Sequence, residues 1–201
     1  MRVIAGQHRG RKLDAPPGLE TRPILDRVKT ALFDCLGSRL AMPGQLPPLH
    51  VLDLFCGGGS MGIEALSRGA KSCAFVDQHP DAIRCLRVNL EALRIGPEAS
   101  IHQAPAGYVR FPERDETRFD LIFLDPPYTM SESLESDGEM MRLLERMGRE
   151  IRIAPEALLV WRHEYRAIVP DRLPNDWQRI DARTYGGMTL TIYQFPTEIA
   201  P

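Results

Sequence analysis

Four consecutive residues, Asp125-Pro126-Pro127-Tyr128, close the apolar run Leu121-Ile122-Phe123-Leu124 and combine the groups needed to hold a flat ring by an exocyclic amine. The two prolines fix the backbone and remove two N–H donors, so the Pro126 carbonyl can be aimed at an amine without competition from its neighbours. Asp125 adds a second acceptor. Tyr128 offers a ring face for stacking, a contact worth about 1–3 kcal/mol per base in single-stranded nucleic-acid complexes. A Pro-Pro turn closing a buried strand would account for the prolines alone. A second motif upstream argues for more.

That motif begins with the strand-like Val51-Leu52-Asp53-Leu54-Phe55, continues through Cys56-Gly57-Gly58-Gly59-Ser60-Met61-Gly62, and enters a helix-like stretch from Ile63 to Arg68. Gly57, Gly59 and Gly62 satisfy G-x-G-x-x-G in the strand, turn and helix context that the motif requires. Asp77 closes the next apolar run, Cys73-Ala74-Phe75-Val76, 20 residues after Gly57. A carboxylate at such an exposed strand tip is placed to accept hydrogen bonds from both hydroxyls of an adenosine ribose. The glycines let a cofactor lie on bare backbone, and the first helix amides point at any anionic group it carries. A nicotinamide dehydrogenase would fit the glycine fingerprint as well, but it leaves Asp-Pro-Pro-Tyr unexplained.

At these residues the chain resembles the S-adenosylmethionine-dependent amino-methyltransferases of class I fold, and among them the bacterial 16S rRNA guanine-N2 methyltransferases of the RsmD type. The resemblance also rests on Met1-Arg2-Val3-Ile4-Ala5-Gly6, Arg9-Gly10-Arg11-Lys12-Leu13, Thr21-Arg22-Pro23, Asp26-Arg27-Val28-Lys29, the stretch from Gly62 to Ala70, and Arg183-Thr184-Tyr185-Gly186-Gly187. It implies an α/β, Rossmann-like fold with a seven-stranded, mostly parallel sheet, helices on both faces and a short N-terminal arm. It implies S-adenosyl-L-methionine as cofactor, held by Asp53, Cys56, Gly57, Gly59, Asp77, Gln78, Gln103 and Ala104. Catalysis would fall to Asp125, Pro126 and Tyr128, and RNA binding to Arg9, Arg11, Lys12, Arg22 and Arg27. The implied partner is 16S rRNA within the small ribosomal subunit or an assembly intermediate, met by a monomer in the cytoplasm. Asp53 is open to a second role, as a buried carboxylate capping the glycine turn. The chain departs from the family pattern at Gln103-Ala104-Pro105, where an acid or amide usually meets the adenine amine, and at Gly58 and Ser60-Met61.

The net charge of −2 is unevenly spread. Residues 1–30 hold seven basic side chains (Arg2, Arg9, Arg11, Lys12, Arg22, Arg27, Lys29) against three acids (Asp14, Glu20, Asp26), which leaves −6 for the remaining 171 residues. Such a local excess is the electrostatic footprint of phosphate binding, although a solvated arm would show it too. Cys35, Cys56, Cys73 and Cys85 form no C-x-x-C pair and sit in apolar settings, as reduced core thiols do. His8, His50, His79, His102 and His163 lack metal-ligand spacing, and no metal is expected. No apolar run approaches the roughly 18 residues of a membrane span, and the polar N-terminus excludes an ordinary secretory signal.

Positioning these residues requires alternating strands and helices. Residues 1–25 read as a short extended or hairpin-like arm with a turn at Pro16-Pro17-Gly18, and a helix follows from Asp26 with Val28, Ala31, Leu32, Cys35 and Leu36 on one face. Residues 1–40 thus form the basic arm and helix, and 41–201 the methyltransferase domain, in one compact unit overall. Strands are predicted at 50–55, 73–77, 100–103, 120–125 and 157–161, with two antiparallel strands near 178–183 and 188–195. Helices are predicted at 61–69, 80–93 and 138–148. Strands 50–55 and 120–125 are expected to flank the topological switch point, where ligands bind in doubly wound sheets. Trp161 and Trp177 read as packing residues, and the acidic stretch 131–139 as a surface loop that could also serve as a lid. Two further readings compete: a DNA adenine-N6 methyltransferase, for whose recognition domain 201 residues leave little room, and a non-catalytic RNA-binding assembly factor.

Overall fold

The computed structural model describes residues 1–17, 24–111, 117–127, 130 and 138–197. It divides into two compact units, Met1–Ala104 and Pro105–Pro201.

In the first unit, β1 (His50–Leu54), β2 (Ser72–Asp77) and β3 (Ala99–Gln103) pair in parallel in the order β3-β2-β1. The intervening helices are α2 (Ser60–Ser67) and α3 (Pro80–Leu93), and α1 (Asp26–Arg39) precedes β1. Strands β1 and β2 are buried along nearly their whole length, as a continuous apolar run requires when both faces of a parallel strand are covered. Helix α3 starts with Pro80, whose missing N–H costs nothing in a first turn, and buries Ile83, Leu86, Leu90 and Leu93 on one face.

Residues 2–12 of the arm form a hairpin whose turn lies near Gly6, while the turn expected at Pro16-Pro17-Gly18 reaches outside the described residues. Arg2 bridges Lys12 in antiparallel fashion, and Val3 and Leu13 are buried beneath. Its anchor is Glu64 on α2, a fully buried carboxylate that accepts the Ile4 and Ala5 amides at 2.7 and 3.0 Å. Glu64 also pairs with Arg68 Nε at 2.8 Å and Lys29 Nζ at 3.3 Å. Burial lowers the Lys29 pKa, and the Glu64 charge opposes that shift. Gly6 turns with φ of +78°, and a Cβ there would lie 1.7 Å from the Ser67 carbonyl oxygen, so only glycine permits this close approach.

In the second unit, β4 (Phe119–Leu124) runs parallel to β5 (Ile153–Glu164), and β8 (Met188–Gln194), β7 (Trp177–Tyr185) and β6 (Arg172–Leu173) extend the sheet antiparallel in the order β4-β5-β8-β7-β6. Helix α4 (Glu139–Glu150) buries Met140, Leu143, Leu144 and Met147. The described residues therefore hold eight strands rather than the seven expected. The extra one, β6, is two residues long, too short to show any alternation. Strand β5 also begins earlier than expected because it continues past Glu156, whose φ of +61° accompanies a register shift against β4. Strands β7 and β8 turn at Gly186 and Gly187, with φ of +62° at Gly186, as a two-residue hairpin demands. Trp161 and Trp177 are fully buried packing residues. No helix among the described residues is long and apolar enough to cross a membrane.

Candidate active site

The glycine turn is built by two carboxylates. Asp53, near the end of β1, accepts the Gly62 amide at 2.9 Å and is 1% exposed, so it caps the first turn of α2 from below. Asp77, at the end of β2, accepts the Gly57 amide on Oδ2 and the His79 amide on Oδ1, both at 2.9 Å. The expected exposed tip is thus corrected: Asp77 is only 7% exposed, because the turn and the start of α3 fold back onto its carboxylate. Each oxygen still has a second lone pair for a ligand hydroxyl.

The glycines differ in what surrounds them. A Cβ on Gly59 would come within 2.4 Å of Leu86, and one on Gly62 within 2.4 Å of Phe75 and 2.5 Å of the Cys73 sulfur. These two let α2 pack onto the sheet. A Cβ on Gly57 would meet nothing within 4 Å, so the backbone beside Asp77 is open. Phe55, just ahead, takes a left-handed φ of +59°, a strained value for a bulky residue and one that clusters at functional turns. Cys56 is buried, and burial together with Asp53 and Asp77 raises its thiol pKa well above the usual value, so the thiol is inert.

Across the rim, Asp77 pairs in register with Gln103, whose side chain is exposed, and the Ala104 amide donates to the Asp77 carbonyl at 3.1 Å. Gln78 is exposed beside them. Asn89 on α3 was missed by sequence reasoning. It is 3% exposed, donates to the Gly58 carbonyl at 2.8 Å and accepts the Asp14 amide at 2.8 Å, so it ties arm and turn together. A polar residue at a core position of α3 was its signal.

In the second unit, Asp125 directly follows β4. Its Oδ1 lies 2.7 Å from Nε of Arg162 on β5. Burial raises the Asp125 pKa, and the Arg162 charge pulls against that rise. Pro126 is buried and Pro127 exposed, with the Met130 amide donating to the Pro127 carbonyl at 3.0 Å. Tyr128 and Arg22 lie outside the described residues, as does most of the stretch 131–139. Arg9, Arg11, Lys12 and Arg27 are all exposed, and Arg11 donates to the Ala92 carbonyl at 2.7 Å.

An open glycine turn after β1, an acid closing β2, and a β4 that ends in Asp-Pro-Pro give the chain the fold of a Rossmann-like class I methyltransferase. The family described as Conserved hypothetical protein 95 matches residues 1–194. A candidate rRNA methyltransferase of Bacillus subtilis is 33% identical over 195 residues, covering 96% of this chain and 98% of the relative. The ribosomal RNA small subunit methyltransferase D of Haemophilus influenzae is 32% identical over 199 residues, covering 96% and 93%. A solved structure of a candidate methyltransferase from Escherichia coli superposes with a TM-score of 0.78 at 29% identity, covering 98% of this chain and 99% of that one. The chain belongs to the RsmD-type methyltransferase family.

Proposed function

We propose that the protein transfers a methyl group from S-adenosyl-L-methionine to the exocyclic N2 amine of a guanine in 16S rRNA, presented by the small ribosomal subunit or an assembly intermediate. The observation that carries the cofactor assignment is the bare backbone at Gly57 beside the Asp77 carboxylate. A ribose would sit there with its hydroxyls donating to the remaining lone pairs of Asp77. Gln103, Gln78 and the backbone at Cys56 and Ala104 would border the adenosine, with Asp53 holding the turn in shape. The small-subunit relative supports an rRNA substrate, and the exposed basic residues of the arm suit a phosphate backbone.

Bound cofactor supplies an electrophilic methyl carbon whose bonding pair stays on sulfur when that bond breaks. An aryl amine is a weak nucleophile because its lone pair is delocalised into the ring. Asp125 and the Pro126 carbonyl would each accept one of its N–H bonds, which aims the lone pair at the methyl carbon. The nitrogen forms the new N–C bond and then sheds one proton to solvent. Orientation of this kind can supply roughly 7–11 kcal/mol of barrier lowering in favourable cases. The target base must leave its stack at a cost of a few kcal/mol, which stacking on Tyr128 would offset in part.

The test is incubation of small subunits from a strain lacking this protein with labelled methyl donor, followed by nucleoside mass spectrometry. N2-methylguanosine is expected. Label in N6-methyladenosine would replace guanine by adenine as the target, and no incorporation with proven cofactor binding would favour a non-catalytic assembly role.

A further inference from the structure

Asp125 is not a lone acceptor. Strands β4 and β5 are parallel with Leu124 opposite Trp161, so the residues that follow, Asp125 just beyond the end of β4 and Arg162 still within β5, lie side by side. Arg162 lies one residue past the last β4 pairing but still within β5, where β8 holds its backbone through the pairing with Leu190. Its neighbours face elsewhere: Trp161 packs against Tyr193, and His163 bonds Thr191 at 2.8 Å. The Arg162 side chain is 9% exposed and the Asp125 side chain 28%.

The geometry of this pair is asymmetric. Oδ1 of Asp125 is sealed from solvent against Nε of Arg162 at 2.7 Å, so the exposed portion of the side chain belongs to the rest of the carboxylate. The two atoms make a close ion pair without the alignment of a good hydrogen bond. Buried polar atoms without an aligned partner are uncommon, and each calls for an explanation.

We propose that Arg162 is a positioning residue that holds Asp125 ionised with Oδ1 turned inward, leaving Oδ2 to accept an N–H of the target amine. The inference rests on the function proposed above and extends it to a residue outside the Asp-Pro-Pro-Tyr motif. The chemistry requires it because a carboxyl group in a desolvated pocket tends to hold its proton. A protonated Asp125 would present an O–H donor to the amine instead of an acceptor. Among the described residues, the charged group that faces Asp125 and opposes protonation is Arg162. Placement on a strand rather than a loop suits the task, since a misplacement of about 1 Å can cost a factor of 100 in rate.

The test compares wild type, Arg162→Met and Arg162→Lys in the full-length protein, with three measurements. Cofactor affinity by calorimetry is expected to stay within about twofold. Turnover on small subunits is expected to fall about 100-fold in kcat for the Met variant with KM little changed, and Lys is expected to restore part of it. The acidic limb of kcat/KM is expected to move to higher pH in the Met variant, in step with the Asp125 carboxyl titration followed by carbon-13 NMR in the cofactor-free protein. A Met variant with wild-type kcat, or an acidic limb that ignores the Asp125 titration, would overturn the positioning role. Should the wild type itself transfer no methyl group, the function proposed above fails, while the NMR titration still reports whether Arg162 keeps Asp125 ionised. An Asp125 titration unchanged by Arg162→Met would overturn the inference on its own.

Discussion

The Gly57 amide donates to Asp77 Oδ2 at 2.9 Å, so the acid that closes β2 also shapes the turn that follows β1. Its other oxygen takes the His79 amide at the start of α3. Asp77→Ala therefore loses two charge-assisted bonds to backbone at a buried site. Each is worth about 1.5–3 kcal/mol, less whatever water regains. We expect a lowered urea midpoint together with loss of S-adenosylmethionine affinity. Asp77→Asn can keep only one acceptor oxygen and should retain more stability than affinity. Calorimetry and denaturation on the same two variants check this, and an Asn variant that binds cofactor as wild type does would remove Asp77 from the binding site.

Gly57 and Gly62 should separate binding from stability. An alanine at Gly62 forces its Cβ into Phe75 and Cys73, and overpacking of this kind costs about 1–3 kcal/mol while the ligand face is untouched. At Gly57 the methyl projects into open space, where it would occupy the ligand's place; the left-handed φ of +54° adds strain of about 1–2 kcal/mol. Gly62→Ala is thus expected to melt earlier with near-normal cofactor affinity once folded. Gly57→Ala is expected to lose affinity by more than its stability loss explains. The reverse pattern would exclude cofactor contact at Gly57.

These contrasts show what was legible in the sequence. The strand, glycine turn and helix of residues 50–67, the acid 20 residues on, and Asp-Pro-Pro at the end of β4 all carry local signals, and each stands where its spacing places it. The roles of single groups were less legible. Asp53 and Asp77 look alike as strand-end acids, and only the folded chain shows one sealed beneath α2 and the other half-turned to the open backbone. Glu64 and Arg68 stand four residues apart at the end of α2 and meet locally, but Lys29 on α1 joins them only through packing. Arg162 follows an apolar run without local periodicity to mark it, and its partner lies 37 residues away, so strand pairing was needed to find it.

The arm is predicted to hold phosphate without reading bases. Glu64 fixes the hairpin while Arg9, Arg11 and Lys12 remain exposed, so charge can be changed there with the Glu64 anchor kept, at the loss of the Arg11 bond to the Ala92 carbonyl. Reversing all three to Glu should weaken RNA binding and flatten the salt dependence, by about 2–3 in the slope of log affinity against log salt if each contacts one phosphate. Filter binding across a salt series measures both. Unaltered affinity and slope would make the arm a structural strap only.

His163 makes stability depend on pH. Its Nδ1 must donate to the Glu164 carbonyl at 2.8 Å, and burial favours the neutral ring, in which Nε2 accepts from the Thr191 hydroxyl at 2.8 Å. Burial lowers its pKa below the ordinary 6.5. The unfolded chain therefore binds the proton more readily. The stabilisation is complete above about pH 6.5 and is lost as pH falls from there toward the lowered folded value. His163→Gln should be less stable than wild type at pH 7.5 by about 1 kcal/mol, with the gap narrowing by pH 5. Urea midpoints over that range decide it, and a gap that widens at low pH would reverse the sign argued here.

Asp125 and Tyr128 should act at methyl transfer. Replacing Asp125 by Asn is the sharper probe, because the amide oxygen can face Arg162 or the substrate amine but not both. If the oxygen turns inward, an NH2 group meets the target amine and donors oppose donors. If it turns outward, the buried guanidinium is left unpaired, at roughly 1–3 kcal/mol for a pair that is partly exposed, short of the 3–5 seen when fully buried pairs are broken. Either way kcat should drop by at least about 100-fold while cofactor affinity changes little, since the carboxylate serves the acceptor side of the reaction. Tyr128→Ala should lose turnover with stability intact, through the lost stacking surface. The double variant Asp125→Asn, Arg162→Met removes the orphaned charge, so it should regain stability relative to Asp125→Asn without regaining rate. Recovery of rate along with stability would mean that the pair acts only through folding.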